Sequence, residues 1–188
     1  MLSAQRNEVH DPLNGRYCRI WPYLRGHYPR SLLGELWQLV ESEGASRDIF
    51  YGSRAEPKTT PIDTCGDLTD FVEYFRANRP LYLVADNEDR VVGFFWLDEM
   101  VQGQRATISL FFRKDSRGRL AFEAGRIFRD YCISFLGFKE IWGVTPWKQS
   151  VAMGRWLGMK TVAVLPQFQR IDGKLFDLYL LRYKAANG

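Results

Sequence analysis

The sequence predicts an α/β fold: a mixed, mostly antiparallel sheet of about six to seven strands with helices on both faces. Three observations predict it. Apolar residues recur at helical spacing in two early segments and at strand spacing from Leu81 onward. A strand-like run, an amphipathic helix and another strand-like run follow one another between Arg105 and Pro146. That succession implies a right-handed crossover with local parallel pairing. The other apolar runs are joined closely enough to pair as hairpins, and helices on both sides of one sheet then bury a single layered core.

The bulk numbers agree with one domain. The chain has 188 residues, 46% hydrophobic and 26% charged, ordinary values for a globular protein. Residues 1–188 are read as one unit, with a helical part over 16–80 and a core over 81–184. The formal charge of +4 fits anionic partners, yet the basic residues are spread along the chain. The clustered Lys/Arg stripe that nucleic-acid binding shows is missing. Cys18, Cys65 and Cys132 make an odd set without paired spacing, which argues against a disulfide framework. With only His10 and His27 beside them, no metal site is expected. The N-terminal stretch carries charge where a secretion signal would have its apolar core. No segment reaches the roughly 20 apolar residues of a membrane helix. A cytoplasmic location, as a monomer or homodimer, is the expectation.

The elements follow in order. Arg16 to Leu24 reads as a short strand interrupted by Pro22. Leu32, Leu36, Leu39 and Val40 mark one face of a helix that Gly44 stops. Residues 45–63 are polar and contain proline, a long loop of the kind that tends to be functional. Thr64 and Asp67 have the spacing of a capping box before a helix striped by Leu68, Phe71, Val72 and Phe75. Two strand-like runs flank "DNED", a hairpin signal, and "RATISLFF" is a third. A helix follows, with Leu120, Ala124, Ile127, Phe128, Tyr131 and Phe135 on one side and Gly137 at its end. "KEIWGVTP" is a strand and "WKQSVAMGRWLG" a short helix. "MKTVAVLP" and "KLFDLYLLRYK" are the last strands.

The most informative stretch is "RKDSRGRLAFEAGRIF", from Arg113 to Phe128. It joins a strand to a helix and crowds Arg113, Lys114, Arg117 and Arg119 around Gly118. It is either a solvated basic turn or a cradle for phosphates. A helix start offers unpaired N–H groups and the positive end of the dipole, which suits an anion. Charged hydrogen bonds worth roughly 1.5–3 kcal/mol each would add to that.

The element order, with "ISLFF…RKDSRGRLA" and "WGVTPWKQSVAMGRWLGM", resembles the GNAT superfamily of acyl-CoA-dependent N-acyltransferases. The resemblance covers Leu81 to Lys184, and the N-terminal helices more loosely. It implies a GNAT-like fold with acetyl-CoA as cosubstrate, and a turn over Arg113 to Ala121 holding the diphosphate. Backbone N–H groups around Leu110, Phe111 and Phe112 would stabilise the oxyanion. The sequence departs from the family pattern in three places. Leu120 stands where the turn's first consensus glycine belongs, and its place in the apolar stripe points it into the core. Trp147 stands at the usual Asn. Gly154 stands at the Tyr that in many members protonates the departing thiolate. Divergent members, some of them phage-borne, depart in similar ways.

Acyl transfer to an amine needs a proton acceptor, an oxyanion donor and a route for the thiolate to leave. "RATISLFF" carries no carboxylate. Asp98 and Glu99, ending the neighbouring strand, are the candidate bases, or else the polar ends of a hairpin. Glu123 lies in the first turns of the helix, where an acid suits the dipole. Tyr179 and Tyr183 on the last strand are candidate acids, or core-to-surface packers. Ser150 could meet the thiol end of the cofactor, or cap its helix. Cys132 reads as a small hydrophobe. Trp142, Trp147 and Trp156 gather near the last crossover, where bulky rings could narrow the pantetheine slot. Two functions remain open: an N-acetyltransferase acting on a primary amine of a small molecule or protein, and a catalytically inactive protein of the same fold that binds a partner.

Overall fold

The computed structural model describes residues 11–23, 30–45, 67–76, 79–171 and 173–185. His10, His27, Thr64, Cys65 and all of the expected 45–63 loop except Ala45 lie outside them. Among the described residues are eight strands and four α-helices. The strands are β1 (Leu13–Asn14), β2 (Arg19–Tyr23), β3 (Leu81–Ala85), β4 (Val91–Val101), β5 (Arg105–Phe112), β6 (Glu140–Thr145), β7 (Lys160–Ile171) and β8 (Lys174–Lys184). The helices are α1 (Arg30–Ser42), α2 (Leu68–Arg76), α3 (Arg119–Ser134) and α4 (Lys148–Trp156).

All eight strands form one sheet in the order β1-β2-β3-β4-β5-β6-β8-β7. The sheet therefore exceeds the six to seven strands the sequence predicts. The extra one is β1, whose two residues pair with Arg19 and Ile20 and are too few to show any alternation. Within residues 16–80, β2 joins the sheet as the strand expected between Arg16 and Leu24, while β1 precedes that part. Pairing is antiparallel except between β5 and β6, which α3 connects. β7 follows α4 but does not pair with β6, because β8 lies between them. Pro22 does not interrupt β2. It pairs with Tyr82 on one side, and β1 covers only Arg19 and Ile20 on the other, so its missing N–H leaves no ladder bond unmade there.

Two apolar layers sandwich the sheet. On one face α1 and α2 pack Leu33, Leu36, Phe71 and Phe75 onto Leu83, Phe94, Trp96 and Phe111. On the other, α3 packs Ala124, Phe128 and Cys132 onto Tyr82, Phe95, Leu97 and Phe112, with the rings of Phe95 and Phe128 stacked 4.4 Å apart. Period two in the strands and period 3.6 in the helices meet at these layers. Phe135 departs from the expected stripe: it follows the last turn of α3 and is 63% exposed.

The helix ends have local causes. At α1, Ala45 N–H donates to Val40 O and Gly44 N–H to Glu41 O, with Gly44 at φ +64°. This is the six-to-one and five-to-two pair of a glycine-terminated helix. Asp67 itself caps α2, its carboxylate accepting the Asp70 N–H at 3.0 Å. The Thr64 half of the expected capping box lies outside the described residues.

Glu123 on α3 has a structural task. Its carboxylate accepts the amides of Arg16 (3.0 Å) and Tyr17 (2.6 Å), which closes the turn between β1 and β2. The buried Cys18 thiol lies 3.7 Å away, and burial, with the nearby charge second, pushes its pKa up to about 12. Glu123→Ala should therefore cost about 1–3 kcal/mol, since it strands these donors. Urea denaturation monitored by tryptophan fluorescence checks this.

Candidate active site

The parallel pairing of β5 with β6 is short. It runs from Arg105/Glu140 to Thr107/Trp142 and stops there. β5 stays paired to β4 as far as Phe112, while β6 stays paired to β8 as far as Thr145. Past Thr107 the two strands each follow their other neighbour, and the sheet opens between them. The gap holds a cavity of about 130 Å³. Its walls come from both faces of the sheet: Ile108, Leu110 and Leu181 from the α3 side, Trp96, Ser109 and Val144 from the α1–α2 side. Ser150, Met153 and Gly154 of α4, with Leu157 just after it, cover it at helical spacing.

Past Thr107 the open side of β5 has no strand partner among the described residues. Arg113 N–H donates to Val92 O at 2.9 Å, toward β4. Backbone groups alternate sides along a strand, so those of Ile108, Leu110 and Phe112 face the gap. The Phe112 carbonyl accepts from Arg117 Nε at 3.2 Å, a side chain standing where a strand would be. Leu110 both lines the cavity and turns its N–H into it. Phe111 points the other way, into the α1–α2 layer.

Beyond Phe112 a short 3₁₀ turn, Lys114–Ser116, leads to Gly118 and α3. Gly118 sits at φ +109°, a conformation that L side chains rarely adopt, and no side chain caps the helix. The first amides of α3, at Arg119, Leu120 and Ala121, lack intrahelical partners by geometry. Leu120 packs toward the α3 layer, so its side chain leaves the start of the helix clear. Lys114, Arg117 and Arg119 are exposed. Arg113 is engaged instead: its guanidinium lies 3.2 Å from Asp115 and 3.7 Å from Glu43. The same Glu43 carboxylate accepts Lys114 N–H at 3.1 Å, tying the turn to the end of α1.

Asp98 lies in a polar cluster on the α1–α2 face. Arg79 Nε donates to Oδ1, while Oδ2 accepts from Tyr74 (3.1 Å) and Ser109 (3.5 Å). Tyr74 in turn accepts the Trp96 indole N–H at 3.0 Å, and the Arg79 guanidinium lies 3.8 Å from the centre of the Tyr74 ring. Asp98 and Arg79 are only 14% and 13% exposed. Burial, reinforced by the Asp98 charge, drives the Tyr74 pKa upward, so the phenol keeps its proton and donates. Glu99 is exposed, at φ +45° in the bulge that follows, and receives the Thr107 hydroxyl at 3.3 Å. Tyr179 pairs with Thr145 and is not part of the cavity wall. Tyr183 is, with Arg129 4.8 Å from the centre of its ring.

The tryptophans do not close the gap. Trp142 and Trp147 line it, and Trp147 packs edge-on against Phe176 at 5.4 Å. Trp156 is 57% exposed and lies against Phe122. Trp147, not Ser150, occupies the cap position of α4, which leaves Ser150 one turn inside, on the cavity wall. At Gly154 an added Cβ would stand 2.6 Å from Leu181 Cδ1. The glycine is where α4 touches β8, and a side chain there would have to displace the end of Leu181.

Three of these residues escaped the sequence reading. Ser109 is the polar half of an alternating run, read there only as a strand. Tyr74 is the polar member of the α2 stripe. Arg79 lay in an unremarked "ANRP" segment before Pro80. A strand serine opposite a tryptophan was the available signal, since a polar residue on a buried face needs a partner.

No protein-family model matches the sequence, and no curated protein matches it. Solved structures do. A ribosomal L7/L12 α-N-protein acetyltransferase in complex with coenzyme A superposes with a TM-score of 0.70 at 12% identity, over 95% of this chain and 100% of the other. A spermidine N-acetyltransferase from Vibrio cholerae, in complex with CoA and spermine, gives 0.68 at 13%, over 88% and 95%. A GNAT-family acetyltransferase from Bacillus anthracis gives 0.64 at 13%, over 92% and 98%. At these identities the likeness is one of backbone arrangement, and it extends over nearly the whole chain. The protein has the GNAT acetyltransferase fold.

Proposed function

We propose that the protein is an N-acetyltransferase that moves the acetyl group of acetyl-CoA to a primary amine of a small molecule or protein. The opening between β5 and β6 carries this reading. It is a slot between two strands, with no strand laddered to that side of β5 among the described residues, and it runs toward a helix start ringed by exposed basic residues. A pantetheine arm is narrow, extended and bears two amides, so it can take up ladder positions that no strand fills. The diphosphate then reaches the amides of Arg119, Leu120 and Ala121, with Gly118 allowing close approach and Lys114, Arg117 and Arg119 supplying charge. Arg113 contributes less, because Glu43 and Asp115 already neutralise it. The CoA-bound structures sharing this fold support the choice of cosubstrate.

The chemistry follows from the walls. The amine attacks the thioester carbon and the carbonyl oxygen gains charge, which the Leu110 N–H meets. The C–S bond then breaks. Gly154 carries no side chain to protonate the leaving sulfur, and the Ser150 hydroxyl on the cavity wall is the donor for it. Among the acid–base candidates Tyr183 lines the cavity directly and Asp98 reaches it through Ser109, whereas Glu99 and Tyr179 stand off it.

Titration calorimetry with acetyl-CoA and with CoA tests the reading. Arg117→Glu combined with Arg119→Glu should weaken binding by roughly a hundredfold or more, the loss of two charged contacts. No heat at high micromolar CoA would remove the proposal. Binding without release of free thiol in the presence of amines would favour a non-catalytic module, the outcome that the missing tyrosine at Gly154 would explain.

A further inference from the structure

The geometry points to Ser109 as a positioning residue for the acceptor amine, with Asp98 fixing the direction of its hydroxyl. This deepens the acetyltransferase reading and rests on it. The cavity is walled from both faces of the sheet, because a seam without ladder bonds is open through the sheet's thickness. Leu110 and Ile108 pack on the α3 side, the side of the basic turn. Ser109, one residue along β5, points to the opposite side, toward Trp96 and Asp98. A cosubstrate lying along the α3 side therefore leaves the α1–α2 side for the nucleophile. Ser109 is the polar side chain that β5 contributes to the cavity wall there.

Asp98 decides what Ser109 can offer. One carboxylate oxygen holds Arg79 Nε and the other holds the Tyr74 phenol. The Ser109 hydroxyl, at 3.5 Å, is a further donor to that second oxygen. The contact is long, as such bonds often are before a substrate tightens the site. With its proton turned to Asp98, the Ser109 oxygen presents lone pairs to the cavity. It can accept an N–H from an uncharged amine and so aim the nitrogen lone pair at the thioester carbon. Asp98 is not the proton acceptor in this arrangement, since taking a proton would break the contact with Arg79, Tyr74 or Ser109. The proton leaves the nitrogen for solvent after the C–N bond forms.

The test uses the full chain, acetyl-CoA and butylamine, with thiol release as the readout. Ser109→Ala should raise the KM for butylamine by roughly 3- to 10-fold, the worth of one neutral hydrogen bond, and leave CoA affinity by calorimetry unchanged. Ser109→Thr, which keeps the hydroxyl, should restore the amine KM. Asp98→Asn can donate an amide N–H and turn the Ser109 oxygen away, so it should raise the amine KM as well. Its kcat/KM profile against pH should keep the wild-type acid limb, which the amine's own ionisation sets. An unchanged amine KM in Ser109→Ala overturns the inference while the acetyltransferase reading stands. So does an acid limb lost in Asp98→Asn, which would make Asp98 the base. Absence of CoA binding in the unaltered protein removes both. Should Asp98→Asn fail to fold, the Ser109 pair decides alone.

Discussion

Replacing Arg79 with methionine is expected to cost about 3–5 kcal/mol of folding stability, the loss that follows when one member leaves a buried ion pair. Arg79 and Asp98 are both nearly enclosed. The guanidinium also lies against the Tyr74 ring and donates to the Tyr74 carbonyl, so it clamps the end of α2 to β4. Methionine fills similar volume and restores none of these bonds. Among the described residues, Asp98 would then face the core layer with Tyr74 and Ser109 as its remaining donors. A double-mutant cycle separates charge from packing. If the pair is the cause, Arg79→Met with Asp98→Asn should be more stable than Arg79→Met alone. Guanidinium denaturation of the four proteins measures it, and strictly additive losses would refute the explanation.

Gly93→Ala should cost about 1–3 kcal/mol, toward the upper end of what overpacking does. Gly93 lies in β4 opposite Phe112, where a Cβ would stand 2.5 Å from the Phe111 carbonyl oxygen and 2.7 Å from a Phe112 ring carbon. The first of these is backbone and cannot rotate away, so β5 itself must yield. The displaced residues adjoin Leu110, whose N–H faces the gap, and Arg113, which begins the basic turn. The variant should therefore lose CoA affinity along with stability, whereas Glu123→Ala should lose stability alone. Calorimetry on both proteins under folded conditions distinguishes them.

Period and local chemistry made much of the fold legible. "RATISLFF" coincides with β5, and the α3 crossover produced the one parallel pair. Gly44 stops α1 as the glycine rule anticipates. What the sequence concealed is what depends on distant partners. Nothing local tells β8 to lie between β6 and β7, because that order is set by which apolar faces fit. Glu123 looked like a dipole-complementing acid and instead closes a turn more than a hundred residues away. Asp98 read as a candidate base or as the polar end of a hairpin. Its partners Tyr74 and Arg79 come from a helix and a connector, joined to it only once α2 settles on β4. The site followed the same division: the strand–turn–helix unit could be read from spacing, but the polar cluster beside it is tertiary.

The opening past Thr107 also means that this sheet has borders in its interior. A strand border with vacant donors and acceptors is a template for whatever extended chain arrives first, including another copy of the same protein. Here α4 lies across that border like a lid bolted at two points, by Gly154 against Leu181 and by Arg129 reaching the Leu157 carbonyl. Damage to either fastening would therefore show itself first as clumping of still-folded molecules.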